Sequence, residues 1–329
     1  MGKQGSGAGN AGLWWRGFEK SAKCNAEKES ERMKALRLLG TAFLLLAWAG
    51  LLAGQDRKAV NEAAGAPNLV LLVHQEIQPG RGSERQKLEA ATARACDLME
   101  APSYWVELQA LTGAREELFF DPFDNFQQLE EAEAGWRQFY GGHPDLGHMQ
   151  EEIDGVVESE RKIVAVRRDD LGFNVANLDL SEMRYMRVQE VRLFPGHEGD
   201  FGEALRILED ASAKVKGETP WMVYEVNVGM PSPAYLLMIP MSGLEKNDDL
   251  LEAKDKLLEV EGEEAAQRLE QIARESFAST ESNLYEVRPE MSHVPKEWAA
   301  GDPEFWRPRR DQEAKPQAKP SVKPSKNRV

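Results

Sequence analysis

The sequence predicts an α+β protein made by tandem duplication of a βαββαβ unit, and three observations predict it. Four landmarks recur in order: Ser83-Glu84-Arg85-Gln86 and Asp200-Phe201-Gly202-Glu203, Glu107 and Glu225, Asp124-Asn125-Phe126-Gln127 and Ser242-Gly243-Leu244-Glu245, Val166-Arg167 and Val287-Arg288. Their offsets run only from 117 (Ser83 to Asp200) to 121 (Val166 to Val287), a constancy that unrelated helix caps would not keep. Apolar runs of strand character alternate with stretches of helical spacing in the same order in both halves. Finally, 329 residues suffice for two domains of ordinary size, each burying its own core.

In the first copy Asn68 to Ile77, rich in Val and Leu, reads as a strand, and Pro79-Gly80-Arg81-Gly82 breaks it before a helix from Ser83 to about Met99. Ser103 to Leu111 alternates as a second strand, Thr112-Gly113-Ala114 turns the chain, and Leu118 to Phe120 forms a short third. Asp124 is expected to cap the next helix, whose Phe126, Leu129, Trp136 and Phe139 keep helical spacing. Gly141-Gly142-His143-Pro144 ends that helix, and a further helical piece leads to a fourth strand at Lys162 to Arg167. The second copy gives a strand at Met183 to Phe194, a helix at Asp200 to Val215, and strands at Trp221 to Val228 and Ala234 to Ile239. Helices from Ser242 to about Phe277 and a strand at Leu284 to Arg288 complete it. The two units cover residues 67–170 and 183–290. Their order is the split βαβ, or ferredoxin-like, plan, in which an antiparallel four-stranded sheet carries both helices on one face.

The ends of the chain differ in character. Met33-Lys34-Ala35-Leu36-Arg37, the apolar run Leu38 to Ala53 and polar Gln55-Asp56-Arg57-Lys58 have the form of a secretory signal peptide. The run falls short of the roughly 20 residues that span a bilayer. Residues 33–54 are therefore expected to be cleaved near residue 54, giving an exported, periplasmic or secreted protein; an uncleaved leader would make it membrane-anchored instead. Residues 1–32, Gly-rich and ahead of a methionine able to begin a signal, are expected to be a non-native or disordered extension. Residues 306–329, alternating Lys, Arg and Pro, are expected to be a disordered basic tail. The net charge of -15 excludes a general nucleic-acid footprint. Of the cysteines, Cys24 would leave with the leader, so no internal disulfide can form, and Cys96 beside Ala95 reads as a small buried hydrophobe.

Two βαββαβ units in one chain resemble the dimeric α/β-barrel superfamily, and within it tandem NIPSNAP-like or antibiotic-monooxygenase-like domains, over roughly Asn68 to Arg288. The resemblance implies that the open faces of two ferredoxin-like sheets meet as a single-chain pseudo-dimeric α/β barrel, so that one chain is its own dimer. It is a resemblance of topology, and its implied activities range from cofactor-independent monooxygenases and haem-degrading enzymes to isomerases and domains without known activity. Fold alone does not choose among them.

If each sheet turns an apolar face to its helices, alternation puts Leu69, Leu71, Val73 and Ile77 outward and Val70, Leu72, His74 and Glu76 inward. The same rule puts Tyr104, Val106 and Leu108 outward, Trp105, Glu107 and Gln109 inward, and in the second copy Val223, Glu225 and Asn227 inward. Arg192 falls opposite His74 at the repeat offset. The expected site is thus one cleft with His74 and Glu107 as acid–base candidates and Glu76, Trp105, Arg192, Glu225 and Asn227 as ligand-binding residues. Salt bridges between two sheets are the competing account of the same residues. His143 and His148 with Glu151 and Glu152 fit a turn better than a metal centre, so no metal is expected. His197 and His293 fall in loops without evident partners. Gly80-Arg81-Gly82 lacks the third glycine and the lysine of the nucleotide motifs, and no cofactor is expected. The expected function is an exported small-molecule-binding or interaction module, taking a small organic ligand and no nucleic acid. The alternative is a cofactor-independent enzyme, monooxygenase- or isomerase-like, with His74 as acid or base.

Overall fold

A computed structural model describes residues 65–99, 101–214 and 219–307. The expected signal peptide and extension, residues 1–54, and residues 308–329 of the expected tail lie outside the described residues. The first half runs β1 (Leu69–Ile77), α1 (Gly82–Met99), β2 (Val106–Ala110), β3 (Glu116–Phe123), α2 (Phe126–Gly142), α3 (Pro144–Asp154) and β4 (Val157–Arg167). The second runs β5 (Tyr185–Leu193), α4 (Glu198–Lys214), β6 (Met222–Val228), β7 (Ala234–Met241), α5 (Glu245–Glu261), α6 (Glu263–Ser276) and β8 (Phe277–Val287). Two short helices, α7 (Lys296–Gly301) and α8 (Pro303–Trp306), follow. No helix among the described residues is long and apolar enough to cross a membrane.

Each half is therefore βαββαβ, and the strands close into one antiparallel barrel in the order β1-β3-β2-β8-β5-β7-β6-β4. The halves meet at two seams: β2 against β8 over Leu108–Ala110, and β4 against β6 over Val164–Arg167. Register exposes the duplication. Leu72 lies beside Phe120 and Ile163 as Val188 lies beside Met238 and Asn283. At the seams Ala110 meets Tyr285 as Val226 meets Ala165. Corresponding strands run in the same direction, so a pseudo-twofold lies along the barrel axis and both copies of a position sit at the same end.

The chain forms these elements for local reasons. Gly113, at φ 81, supplies the left-handed residue that turns β2 into β3. Helix α2 is capped by Asn125, whose side chain accepts from the Gln128 amide at 3.1 Å; Asp124, the expected cap, instead donates its own amide to Gln128 Oε1 at 2.7 Å. Strands β4 and β8 begin earlier than their alternation suggests, because Glu158–Arg161 and Ser279–Glu281 are exposed and polar and carry no periodic apolar signal. Trp306, the expected start of the tail, is instead buried in α8, its indole donating to the Ser181 carbonyl at 2.9 Å.

The barrel interior is filled. One apolar cluster draws buried side chains from all the barrel strands, among them Leu72, Leu108, Phe120, Met186, Tyr224 and Leu236, each 0% exposed. Burying a large apolar side chain contributes about 1.5–3 kcal/mol, so this packing supplies much of the drive that joins the halves. At the end where β1 starts, the connector residues Leu178, Leu180 and Met183 and the C-terminal Trp298 and Trp306 join the same cluster and close the barrel. A void of about 10 Å³ remains there, bordered by Val106, Phe120, Leu180 and Trp298, room for about one water at most.

The inward assignment on β2 and β6 is corrected by one residue. Val106 and Leu108 point into the barrel, so Trp105, Glu107 and Gln109 face outward; likewise Met222, Tyr224 and Val226 are inside and Val223, Glu225 and Asn227 outside. The premise that failed is the apolar helix-facing side. In the first half that face carries Gln75, Glu107 and Glu117, and α1 meets them with Arg85 and Glu89. A shift of one residue along a strand reverses every side chain on it.

Candidate functional site

The end of the barrel where β1 finishes is polar. His74 points inward and is 6% exposed; its Nδ1 lies 3.3 Å from Glu116 Oε2 on β3 and its Nε2 lies 3.5 Å from Glu190 Oε1 on β5. Arg161 of β4 grips Glu190 in a fork, Nη2 to Oε1 at 2.7 Å and Nη1 to Oε2 at 3.2 Å. The Tyr285 hydroxyl on β8 donates to Glu116 Oε1. His74, Glu116 and Arg161 belong to the first half, Glu190 and Tyr285 to the second, so this mouth bridges the two copies directly above the apolar plug. His74 and Glu190 are themselves twins: Leu118 and Arg161 flank the one as Leu236 and Glu281 flank the other.

Electrostatics at the mouth favour ionised Glu116. Burial opposes its charge, but the hydrogen bonds from His74 and Tyr285 and the charges of His74 and Arg161 outweigh that and hold its carboxyl below the usual range. Burial, reinforced by the Glu116 charge, pushes the Tyr285 phenol up, so it stays a donor. At the rim a cleft of about 330 Å³ is lined by Glu76, Ile77, Pro79, Ala114, Arg115 and Glu158. An imidazole held between two carboxylates, with a phenol on one and a guanidinium on the other, can orient and relay a proton; the rim offers charged groups of both signs to a polar ligand.

The structure brings together part of the expected set. His74 and Glu76 lie at the mouth on β1, and Arg192 lies at the same end on β5, at the level of Ala234 and Ser279. The residue facing His74 is Glu190, two positions before Arg192, because the repeat offset on these strands is 116 (Leu72 to Val188). Glu107 and Trp105 lie outside the barrel wall, where Trp105 packs with Cys96 and Trp136 and its indole donates to the Met291 carbonyl at 2.9 Å. Glu225 pairs with Arg168 at 2.7 Å on the exposed outer side, and Asn227 is exposed. The inward Glu116, Arg161, Glu190 and Tyr285 were missed; each sits two residues from an apolar inward neighbour, which is the signal that would have found them.

The remaining histidines are held locally. His143 Nδ1 lies 2.9 Å from the Phe139 carbonyl and exposed His148 lies 3.3 Å from Glu151. His197 and His293 do have partners: Asp200 at 2.7 Å and Asp97 at 2.7 Å. His197 also meets Ser276 Oγ at 3.2 Å, but Ser276 and Asp200 share one ring nitrogen, which is not the relay of a hydrolytic triad. Cys96 is buried and free, its thiol pushed up to about 12 by burial. Among the described residues no group of three or more His, Cys, Asp or Glu is arranged to hold a metal ion.

No family model matches the chain, and no curated protein does. Among solved structures the chain is similar to an anthrone oxidase-like protein, with 15% identity, 69% of this chain and 93% of that one covered and a TM-score of 0.44. It is also similar to a mutant chlorite dismutase from Candidatus Nitrospira defluvii, with 10% identity, 73% and 99% covered and a TM-score of 0.42.

Proposed function

We propose that the chain is an exported binding module that recognises a small polar organic molecule at the mouth of its barrel. The observation that carries this reading is the contrast along the barrel axis: apolar side chains fill the interior, and the inward-facing polar groups gather at one end around His74, Glu116, Arg161, Glu190 and Tyr285. A ligand cannot enter the packed interior, so recognition falls to the mouth and its rim cleft. Export follows from the leader-like residues 33–54.

One observation favours the acid–base reading beside it: His74 stands between two carboxylates, Glu116 Oε2 3.3 Å from Nδ1 and Glu190 Oε1 3.5 Å from Nε2, which orient the imidazole at the mouth. Native mass spectrometry of the full chain from its own host tests both. A retained small molecule that disappears in Arg161→Ala supports mouth recognition, and a molecule held equally well by that variant sinks it. Chemical conversion of the released molecule by the wild type but not by His74→Ala would promote the enzyme reading over the binding one.

A further inference from the structure

The helix layer of the first half holds a second polar cluster that the mouth does not use. Glu107 on β2 is 0% exposed and neither of its carboxylate oxygens meets a donor. Facing it are Arg85 and Glu89 from α1, Glu117 from β3 and, through Arg85, the uncharged Gln75 of β1. Asp154 at the end of α3 and Tyr140 of α2 also lie close enough for their charges to couple to Glu89. Arg85 is the cation of this group. Its Nε lies 2.9 Å from Glu117, its other nitrogens meet Glu89 and Gln75, and its guanidinium carbon stands 5.5 Å from the Phe119 ring. That guanidinium bonds Glu117 and Glu89, so Glu107 feels its charge at a distance and has no donor of its own.

Three ionised carboxylates against one guanidinium would seal two uncompensated negative charges between a helix and a sheet, which an apolar interior does not tolerate. Glu117, itself an acceptor, is the side chain that a protonated Glu107 would hydrogen-bond. A proton on Glu107 removes one of the two charges without needing a hollow and turns Glu107 into a donor to Glu117, leaving the second to Glu89, whose carboxyl burial also pushes up. We propose that Glu107 is a proton-binding site, occupied at neutral pH, whose occupancy keeps α1 docked on the sheet and whose emptying releases it.

Other features of the same layer agree. Burial first, then the charges of Glu89 and Glu117, push the Glu107 carboxyl well up, and burial pushes Glu89 up to about 7 against the Arg85 charge. The charged groups take the centre of the α1 contact: Arg85, Glu89 and Thr92 lie in the buried stripe with Ala93 and Cys96, which pack against Trp105 and Trp136, Asp97 holds His293 at 2.7 Å near the end of the helix, and Leu98 is 84% exposed. The inference does not depend on what the mouth binds, because the two clusters lie on opposite faces of the barrel wall.

Hydrogen exchange of the full chain between pH 5.5 and 9, corrected for the intrinsic rate, tests it with α4 as the internal control. Opening of α1 should rise by about tenfold per pH unit for each proton released, while α4 stays flat. Glu107→Gln, neutral throughout, should lower that slope by one proton. A flat α1 in the wild type, or an unchanged slope in Glu107→Gln, overturns the proposal. If the variant does not fold, the Glu107 carboxyl carbon resonance of the wild type decides: a protonated shift at pH 7 is expected, and an ionised one refutes it.

Discussion

The two copies solve the same packing problem with opposite chemistry. In the second half α4 lays Phe201 and Leu205 on Val191, Val223 and Tyr235, with the Phe201 and Tyr235 rings 4.6 Å apart. At the corresponding positions of the first half stand Gln75, Glu107 and Glu117, and α1 meets them with Arg85 and Glu89. The offsets that relate them, 116 on β1 and β2 and 118 on β3, follow from the paired registers. One backbone plan thus tolerates a hydrocarbon interface and a charged one, because each needs only mutual satisfaction of the groups it buries. The difference is one of robustness: the apolar interface is insensitive to pH, and the charged one depends on one guanidinium and the protonation of its carboxyls.

Breaking each interface at its centre gives the largest effects. Arg85→Ala strands the carboxylates and should cost about 3–5 kcal/mol at neutral pH, while Phe201→Ala should cost about 3–5 kcal/mol through its cavity. Urea melts at pH 5 and pH 8 separate them: the Arg85→Ala loss should shrink at pH 5, where the carboxyls take up protons, and the Phe201→Ala loss should not change. Equal pH responses would erase the distinction between the halves.

Next in size is the slope of stability against pH. Glu89 has its folded-state pKa raised to about 7 from 4.5, so the folded form keeps a proton that the unfolded chain has lost. Its contribution is whole below about pH 4.5 and fades as pH rises through about 7, at up to about 1.4 kcal/mol per pH unit. Glu89→Gln should flatten that stretch of a thermal-melt series. Glu116 at the mouth has the opposite sign: its pKa is held down, so its contribution is present above its ordinary range and vanishes as the solution is acidified. Tyr285→Phe removes a donor to Glu116 and should cost about 1–3 kcal/mol, with the mouth then weakening at a higher pH on acid titration. The smallest effect belongs to the exposed Arg168 and Glu225 pair, where Arg168→Ala should move the melting transition by less than about 1 kcal/mol.

Element order and barrel class were legible in the sequence because Leu69–Ile77, Tyr185–Leu193 and α4 carry strong periodic apolar patterns that the folded chain uses as written. The inward face of His74 was legible for the same reason, since Val70 and Leu72 share it. Phase on β2 and β6 was not, since Trp105-Val106-Glu107-Leu108 alternates equally well in either direction and only the partner helix decides. That helix was misleading in its own way. Arg85, Glu89 and Thr92 occupy the stripe that apolar residues normally fill, and no single-chain pattern announces a buried charge whose partner, Glu117, comes 32 residues later. The closure of the lower end by Leu180, Trp298 and Trp306 was hidden too, because connectors without periodicity read as loops.

The seams have a topological consequence. β2 to β8 and β4 to β6 are short ladders, whereas β1, β3 and β4 or β5, β7 and β8 are joined along nearly their full lengths. A half could satisfy its seams equally well with the complementary half of a neighbouring molecule, giving an intertwined pair with the same core. What selects the self-contained form is the tether between β4 and β5, which keeps each half at high local concentration around its own mate. Shortening that tether until it cannot reach would leave each half to pair with the complementary half of a neighbouring molecule without altering one residue of the barrel.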